Sequence, residues 1–486
     1  MTLLLLTGVA LGAGLAAILV AESRRRLALA IGLAGSLVVL AIALSMPAEE
    51  SVVVGGVALV STPLVRAMAV AWSASLAVLG LLELAVGGRP TVLGPSLIGL
   101  AVGGIAIATH DPASSIAALA AGGVAAVVVP GLNGWIDSPS ASSRLTTTSR
   151  GTLAILGSGL LGLSVIAWAA SAAGPLGGAG IVGPDTDGRL VLGLALIAIV
   201  AAVAIRCGLI PLHVWAARFM EGVSPLAIPA AFAWGGAAFV LVALDWSQVA
   251  LGPAAAGGVE RLIIVTFALV SVILGGLAAM FHDDIEHVLG YSILQDFGIA
   301  LLAFASLEPE AAAAARNWLV ASATVKTAFA GWAAVVRATY GGHRLADLGG
   351  WARHSPALGV AFGVILVAAI GLPTMALFDA RSSLISGSMP GFGAFVAIVI
   401  AAMPAIYLGR IAMAGVAPIS VEVESGPSGR PRWSGGRTKG WSEGPLTQAV
   451  RAVPAELRAN RAPLMAIGVL LLSAMALATS IGGAGG

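Results

Sequence analysis

Long apolar runs separated by short polar breaks organise this chain. Fourteen can be marked, at 2–20, 27–46, 64–87, 91–108, 113–131, 151–172, 189–206, 227–244, 261–280, 288–306, 315–338, 357–385, 391–415 and 464–482. Runs of about 20 residues match a hydrocarbon core of roughly 30 Å at about 1.5 Å per helical residue. The pattern predicts an all-α, polytopic membrane protein with about 14 transmembrane helices. The run 113–131 is rich in Ala and Gly rather than Leu. The one extended hydrophilic stretch precedes the last run, so the predicted division is a helix bundle over 1–415, a hydrophilic inner loop over 416–463 and a final spanning helix over 464–486. Within that loop "ESGPSGRPRWSGGRTKGWSEGP" reads as a flexible linker, and 445–462 as either an amphipathic lateral helix interrupted by Pro454 or plain loop. The first run has no basic leader, which predicts a retained helix rather than a cleaved signal.

Composition supports the lipid reading. Charged residues make up 10% and hydrophobic residues 58% of 486 residues, against about 25% charge in a soluble chain. A formal net charge of +2, scattered along the chain, excludes nucleic acid as a partner. The single cysteine, Cys207, excludes a disulfide framework and a multi-cysteine metal or iron–sulfur site. No Gly-rich phosphate loop and no nucleophile elbow is present, so chemistry on a soluble substrate has no support.

Arginine placement sets the expected orientation. Odd-numbered loops before the last hold Arg24, Arg25, Arg26, Arg89, Arg144, Arg150, Arg206, Arg218, Arg337, Arg344 and Arg353, and even-numbered loops hold only Arg189, Arg261 and Arg316. The positive-inside rule then makes the odd loops cytoplasmic and puts both termini on the outer, periplasmic side.

Ionisable residues inside the runs are the candidate chemistry, because each costs about 2.5–3.5 kcal/mol at a helix centre and marks a polar path. Lys326 and Asp296 stand near the centres of their runs. Arg381 sits in a helix expected to pass Pro373 unbroken, with Asp379 as a possible ion-pair partner. Arg66, Glu83 and Arg410 lie near run ends, where snorkelling to the interface is expected. His213, His282 and His287 lie at helix ends, and "HDDIEH" (282–287) reads as a solvated charge run rather than a metal site.

Several stretches carry a family resemblance. "RCGLIPLHVWAARFMEGVSP" (206–225) resembles the Lys-x-x-x-x-Pro-Phe/Leu-His-x-Trp close of the seventh helix in antiporter-like membrane subunits of respiratory complex I, with Pro211, His213, Trp215, Glu221, Gly222 and Pro225 matching. "HDDIEHVLGYSILQDFG" (282–298) is similar to that family's Gln-x-Asp-Ile-Lys-Arg-x-Leu-Ala-Tyr-Ser pattern through Asp284, Ile285, Leu289, Tyr291, Ser292 and Gly298. Looser likenesses are "LADLGGWARHSP" (345–356), "AAIGLPTMALFDARSSL" (368–384) and "AIYLGRI" (405–411). Among these subunits the quinone-proximal N type of NADH:quinone oxidoreductase fits best.

The resemblance implies a proton path through Lys326, Asp296, Arg206, Arg381, His213 and Glu221. It also implies no cofactor on this chain, and partners that are other membrane and hydrophilic subunits of a respiratory or antiporter complex within the lipid bilayer of the inner membrane. The departures are informative. The family's path pairs a fifth-helix Glu with a seventh-helix Lys and continues through an eighth-helix Lys to a twelfth-helix Lys or Glu. Here Arg206 and Arg381 stand at the seventh- and twelfth-helix positions, 113–131 contains no acid, and the eighth-helix position falls near the uncharged Ala237. Asp296 stands where the family commonly has Gln or His. Arginine stays charged where lysine can release its proton. The expected function is a proton-translocating membrane-arm subunit of a complex-I-like quinone oxidoreductase. The alternatives are a non-pumping structural subunit of such a complex, a subunit of a cation/proton antiporter or membrane-bound hydrogenase, and a stand-alone small-solute transporter.

Overall fold

A computed structural model describes residues 1–87, 92–132, 141–172, 186–341, 344–389, 391, 393–417 and 455–482. Each of the fourteen apolar runs is helical. The first five helices are α1 (Thr2–Ala21), α2 (Arg25–Ser45), α3 (Pro63–Val86), α4 (Leu93–Ala108) and α5 (Pro112–Leu132), so the Ala/Gly-rich run is a helix like the others. There follow α6 (Ala141–Ala172), α7 (Thr186–Cys207), the short α8 (Val214–Gly222) and α9 (Gly235–Ala250), which is preceded by a π-helical turn at Pro229–Trp234. The second half holds α10 (Val259–Phe281), α11 (Ile285–Leu301), α12 (Pro309–Tyr340), the single-turn α13 (Trp351–His354), α14 (Pro356–Ile370), α15 (Ala376–Ser388), α16 (Gly393–Val416) and α17 (Ala455–Gly482). Eleven helices among the described residues are long and apolar enough to cross a bilayer, or up to twelve with a bent pair counted as one span. The chain is a multi-pass membrane protein.

Three local features depart from the run pattern. A hairpin of β1 (Ser51–Val54) and β2 (Val57–Val60) follows α2 and holds the only strands among the described residues. Its turn is Gly55-Gly56 with φ of 58° and 86°, the two left-handed positions that a tight two-residue hairpin loop needs. The run 357–385 is broken rather than continuous: α14 stops at Ile370, and Gly371 (φ 61°), Pro373 and Thr374 (φ 93°) turn the chain before α15. Proline has no N–H to continue the ladder, so this is where a helix yields. α17 starts at Ala455, ahead of the expected 464, with its apolar part at Arg461–Gly482. The linker and most of the lateral helix predicted before it, 418–454, lie outside the described residues.

Burial is graded across the bundle. The windows of Pro309–Tyr340, Ile285–Ala305 and Pro225–Ala250 are 100%, 94% and 89% buried, whereas those of α1 and α17 are 33% buried. The outer helices therefore present apolar faces to lipid, and of the charged residues predicted for a path Asp296 and Lys326 sit on the innermost helices. Small residues permit this packing: a Cβ at Gly14 of α1 would lie 2.8 Å from the carbonyl oxygen of Gly94 on α4, so the two backbones meet directly.

Candidate functional site

The centre of the site is the seam between α11 and α12. Lys326 Nζ lies 3.1 Å from Asp296 Oδ2, with side-chain exposures of 5% and 11%. Trp318, two turns earlier on α12, donates its indole N–H to the backbone oxygen of Asp296 at 2.9 Å. The sequence-predicted pair is thus formed and fixed from both chains of the seam.

Arg381 joins it from α15. The side chain is buried, its guanidinium carbon stands 5.9 Å from the Trp318 ring centre and 5.6 Å from that of Phe378, and its charge acts on Asp296. Its Nη2 donates to the Gly371 oxygen at 3.3 Å, a carbonyl at the α14–α15 break. Asp379 is not its partner among the described residues: side chains two apart on a helix point to different faces. Tyr407 of α16 is buried beside Asp296, Arg381 and Ser292. One carboxylate, two cations and a phenol are therefore buried together.

Arg206 occupies a second and different site. It is 2% exposed at the end of α7, and among the described residues its one hydrogen bond runs from Nη2 to the Ala231 oxygen of the π turn at 3.4 Å. Nε meets no acceptor, and no carboxylate pairs with this group among the described residues. Two glycines make room for it. A Cβ at Gly123 of α5 would lie 3.3 Å from Nη2, and one at Gly235 would lie 2.9 Å from it. The family's fifth-helix acid thus has no counterpart near this cation, and the eighth-helix residue against it is Gly235, two before the expected Ala237.

Trp234 stands between the two sites. It is the last residue of the π turn, donates its N–H to Thr327 Oγ1 at 3.0 Å, and stacks on Trp72 with ring centres 5.4 Å apart. Thr327 is the neighbour of Lys326, so a residue touching the Asp296 site adjoins Gly235 at the Arg206 site. Neither Trp318 nor Trp234 carried a sequence signal, since an indole in an apolar run reads as core.

His213 and the "HDDIEH" stretch gather at one end of α11. The His213 and Tyr291 ring centres are 6.3 Å apart, so this histidine reaches the second motif rather than the Asp296 pair. Glu221 lies in α8, and its side chain is outside the described residues. The "HDDIEH" stretch is not a uniformly solvated charge run. Glu286 is buried and paired with Arg337, while Asp283 pairs with Arg410 at 2.9 Å. Arg66 does reach the helix end, bonding the Leu44 oxygen at 2.9 Å. Glu83 does not snorkel; it is buried and accepts the Val92 N–H.

Comparison with known proteins agrees with this architecture. Residues 141–405 match the family described as NADH:quinone oxidoreductase/Mrp antiporter, TM. NADH-quinone oxidoreductase subunit N of Cereibacter sphaeroides is 33% identical over 202 residues, covering 41% of this chain and 43% of that one; the match spans less than half of the relative's length. A chain of respiratory complex I from Thermus thermophilus with bound aureothin superposes with a TM-score of 0.67 at 19% identity, covering 100% of both chains. A chain of an archaeal membrane-bound sulfane sulfur reductase gives 0.73 at 17% identity, covering 99% of this chain and 76% of that one. With the family match running over more than half its length and through every residue of the Asp296 site save Tyr407, the chain belongs to the NADH:quinone oxidoreductase/Mrp antiporter transmembrane family.

Proposed function

We propose that the chain is a membrane-arm subunit of a complex-I-like, proton-translocating quinone oxidoreductase, in which a proton passes through Asp296 and Lys326 while redox chemistry proceeds on other subunits. The buried Asp296–Lys326 pair at 3.1 Å carries this reading. A lysine–carboxylate contact can hold a proton on either partner, and a permanently charged Arg381 beside it biases which. The test is proton pumping by the intact assembly in reconstituted vesicles. Lys326→Ala and Asp296→Ala each abolish pumping while the assembly survives; unchanged pumping in both variants sinks the proposal.

A second reading is favoured by Arg206. Among the described residues no acid stands beside it, so Arg206 does not form a buried cation–carboxylate pair like Asp296–Lys326. In this reading the chain fills a place in the membrane arm and passes conformational change onward without pumping. A subunit of a cation/proton antiporter or membrane-bound hydrogenase would use the same fold. Co-purification with hydrophilic redox subunits supports the oxidoreductase, and its absence supports an antiporter or a stand-alone transporter.

A further inference from the structure

The α11–α12 seam carries a second ion pair that the path described above does not use. Glu286 lies ten residues before Asp296 on α11, and Arg337 lies eleven residues after Lys326 on α12. Because the helices are antiparallel, Glu286–Arg337 and Asp296–Lys326 are two rungs of one ladder. At about 1.5 Å per residue the rungs are about 15 Å apart.

The two rungs differ in access to water. Asp296 and Lys326 are enclosed, whereas Arg337 is 30% exposed over a Glu286 side chain that is 7% exposed. Around this end three rings stack: His282 on His287 with centres 4.7 Å apart, and His282 on Tyr291 at 5.1 Å. His287 Nδ1 stands 3.7 Å from Asp284 Oδ2. Imidazoles gain and lose protons near neutral pH, so the stack can gather protons at the surface. Charged and titratable groups facing Glu286 are Arg337 from α12 and Asp284 and His287 from its own segment; Arg410 of α16 is engaged by Asp283. On the Asp296 side of the seam lie Ser292, whose hydroxyl donates to the Leu289 oxygen at 2.7 Å, and the buried phenol of Tyr407, which has no direct hydrogen-bond partner among the described residues and adjoins Ser292 and Asp296.

We propose that Glu286, held by Arg337, is the proton-accepting residue at the mouth of the Asp296–Lys326 site, on the face where Arg344 and Arg353 lie. Its carboxylate takes a proton from water at the histidine–tyrosine stack and becomes a neutral acid. The proton then leaves along the seam through Ser292, Tyr407 and water to Asp296, and the carboxylate is restored. Arg337 stays charged throughout. This entry role rests on the path through Asp296 and Lys326.

The test uses the intact membrane assembly, purified through this chain and reconstituted in vesicles containing a pH dye, with Glu286→Gln, Glu286→Gln/Arg337→Gln and Lys326→Ala compared. Both neutralised Glu286 variants slow proton uptake about tenfold or more, the loss of one positioned proton carrier. Added formate, a small mobile carboxylate, restores uptake in both but not in Lys326→Ala. The double variant leaves no unpaired charge and carries the test if the single variant fails to assemble. Wild-type uptake in the neutralised variants, with Lys326→Ala inactive, overturns the entry role alone. Slow uptake that formate cannot restore makes Glu286 a structural residue and also overturns it. Wild-type uptake in all three overturns the path itself and this entry with it.

Discussion

Asp296 faces two cations, while the charges of Lys326 and Arg381 each act on that one carboxylate. Single neutralisations should therefore be unequal. Asp296→Asn leaves two buried cations that repel each other. Lys326→Met leaves Asp296 beside Arg381, still neutralised. At the observed 3.1 Å, the Asp296–Lys326 attraction is about 5 kcal/mol at an effective dielectric constant of about 20. Desolvation of both partners cancels much of it, so removing both charges together is milder than removing the carboxylate alone, which leaves two uncompensated cations instead of one. We expect Asp296→Asn to cost about 3–5 kcal/mol and Lys326→Met about 2 kcal/mol less, with the double variant, in which Arg381 has lost its carboxylate, falling between the two. The assay is denaturant unfolding of the purified chain in detergent micelles, followed by tryptophan fluorescence, with all four proteins closing a double-mutant cycle. If Lys326→Met costs as much as Asp296→Asn, the charge of Arg381 does not compensate Asp296 and the three-charge description fails. A coupling energy near zero would remove the ion pair itself.

Arg206 provides the opposite sign. Its guanidinium is buried without a carboxylate among the described residues, so Arg206→Met should stabilise the chain by about 1–3 kcal/mol in the same unfolding assay, the desolvation cost of a buried, unpaired charge recovered in part; a destabilised variant would mean that this charge is satisfied. At the start of α5, Asp111 accepts hydrogen bonds from Ser114 N–H at 3.0 Å and from the Ser114 hydroxyl, and the Ser114 side chain holds its carboxyl below the usual range against a small opposing effect of burial. A depressed carboxyl contributes stability that is present above its unfolded value and lost as pH falls through the folded one, so amide exchange at 113–116 should accelerate below about pH 4. Exchange that is flat with pH there, or unaltered by Asp111→Ala at neutral pH, removes the cap.

What the sequence made legible follows from the physics of each feature. Apolar length is a strong signal: thirteen of the fourteen runs each form one helical segment, and the run 357–385 forms two. A lone Lys and Asp in such runs stand out because lipid penalises them, and they do meet. The hairpin at 51–60 was not legible because four-residue strands fall below the length scale that marks a span. The break at 371–375 was visible as Gly and Pro but not as a stop, since membrane helices tolerate both where neighbouring groups satisfy the freed carbonyls; here Arg381 does so for Gly371. Glu286 was misjudged for a different reason. Its neighbours in sequence are charged and suggest solvent, while its partner Arg337 lies 51 positions away, and no local pattern encodes that pairing.

The two buried cationic sites differ in what each can pass on. At the Asp296 site a carboxylate, an amine and a phenol lie together, all groups that exchange protons. At the Arg206 site there is a guanidinium, a backbone carbonyl and two glycines, none of which does so at physiological pH. The Trp234–Thr327 bond connects them, yet an indole N–H only donates, and stacking on Trp72 holds the ring in place. A proton has no titrating carrier across that junction among these groups. Charge can still act across it, because a low-dielectric interior screens weakly. The arrangement therefore supports a division of labour in which Arg206 contributes a fixed field and the α11–α12 seam contributes the exchangeable protons. An arginine at the seventh-helix position is then compatible with transport elsewhere in the same chain, provided that protons enter from the Glu286 end of the seam rather than through the first half.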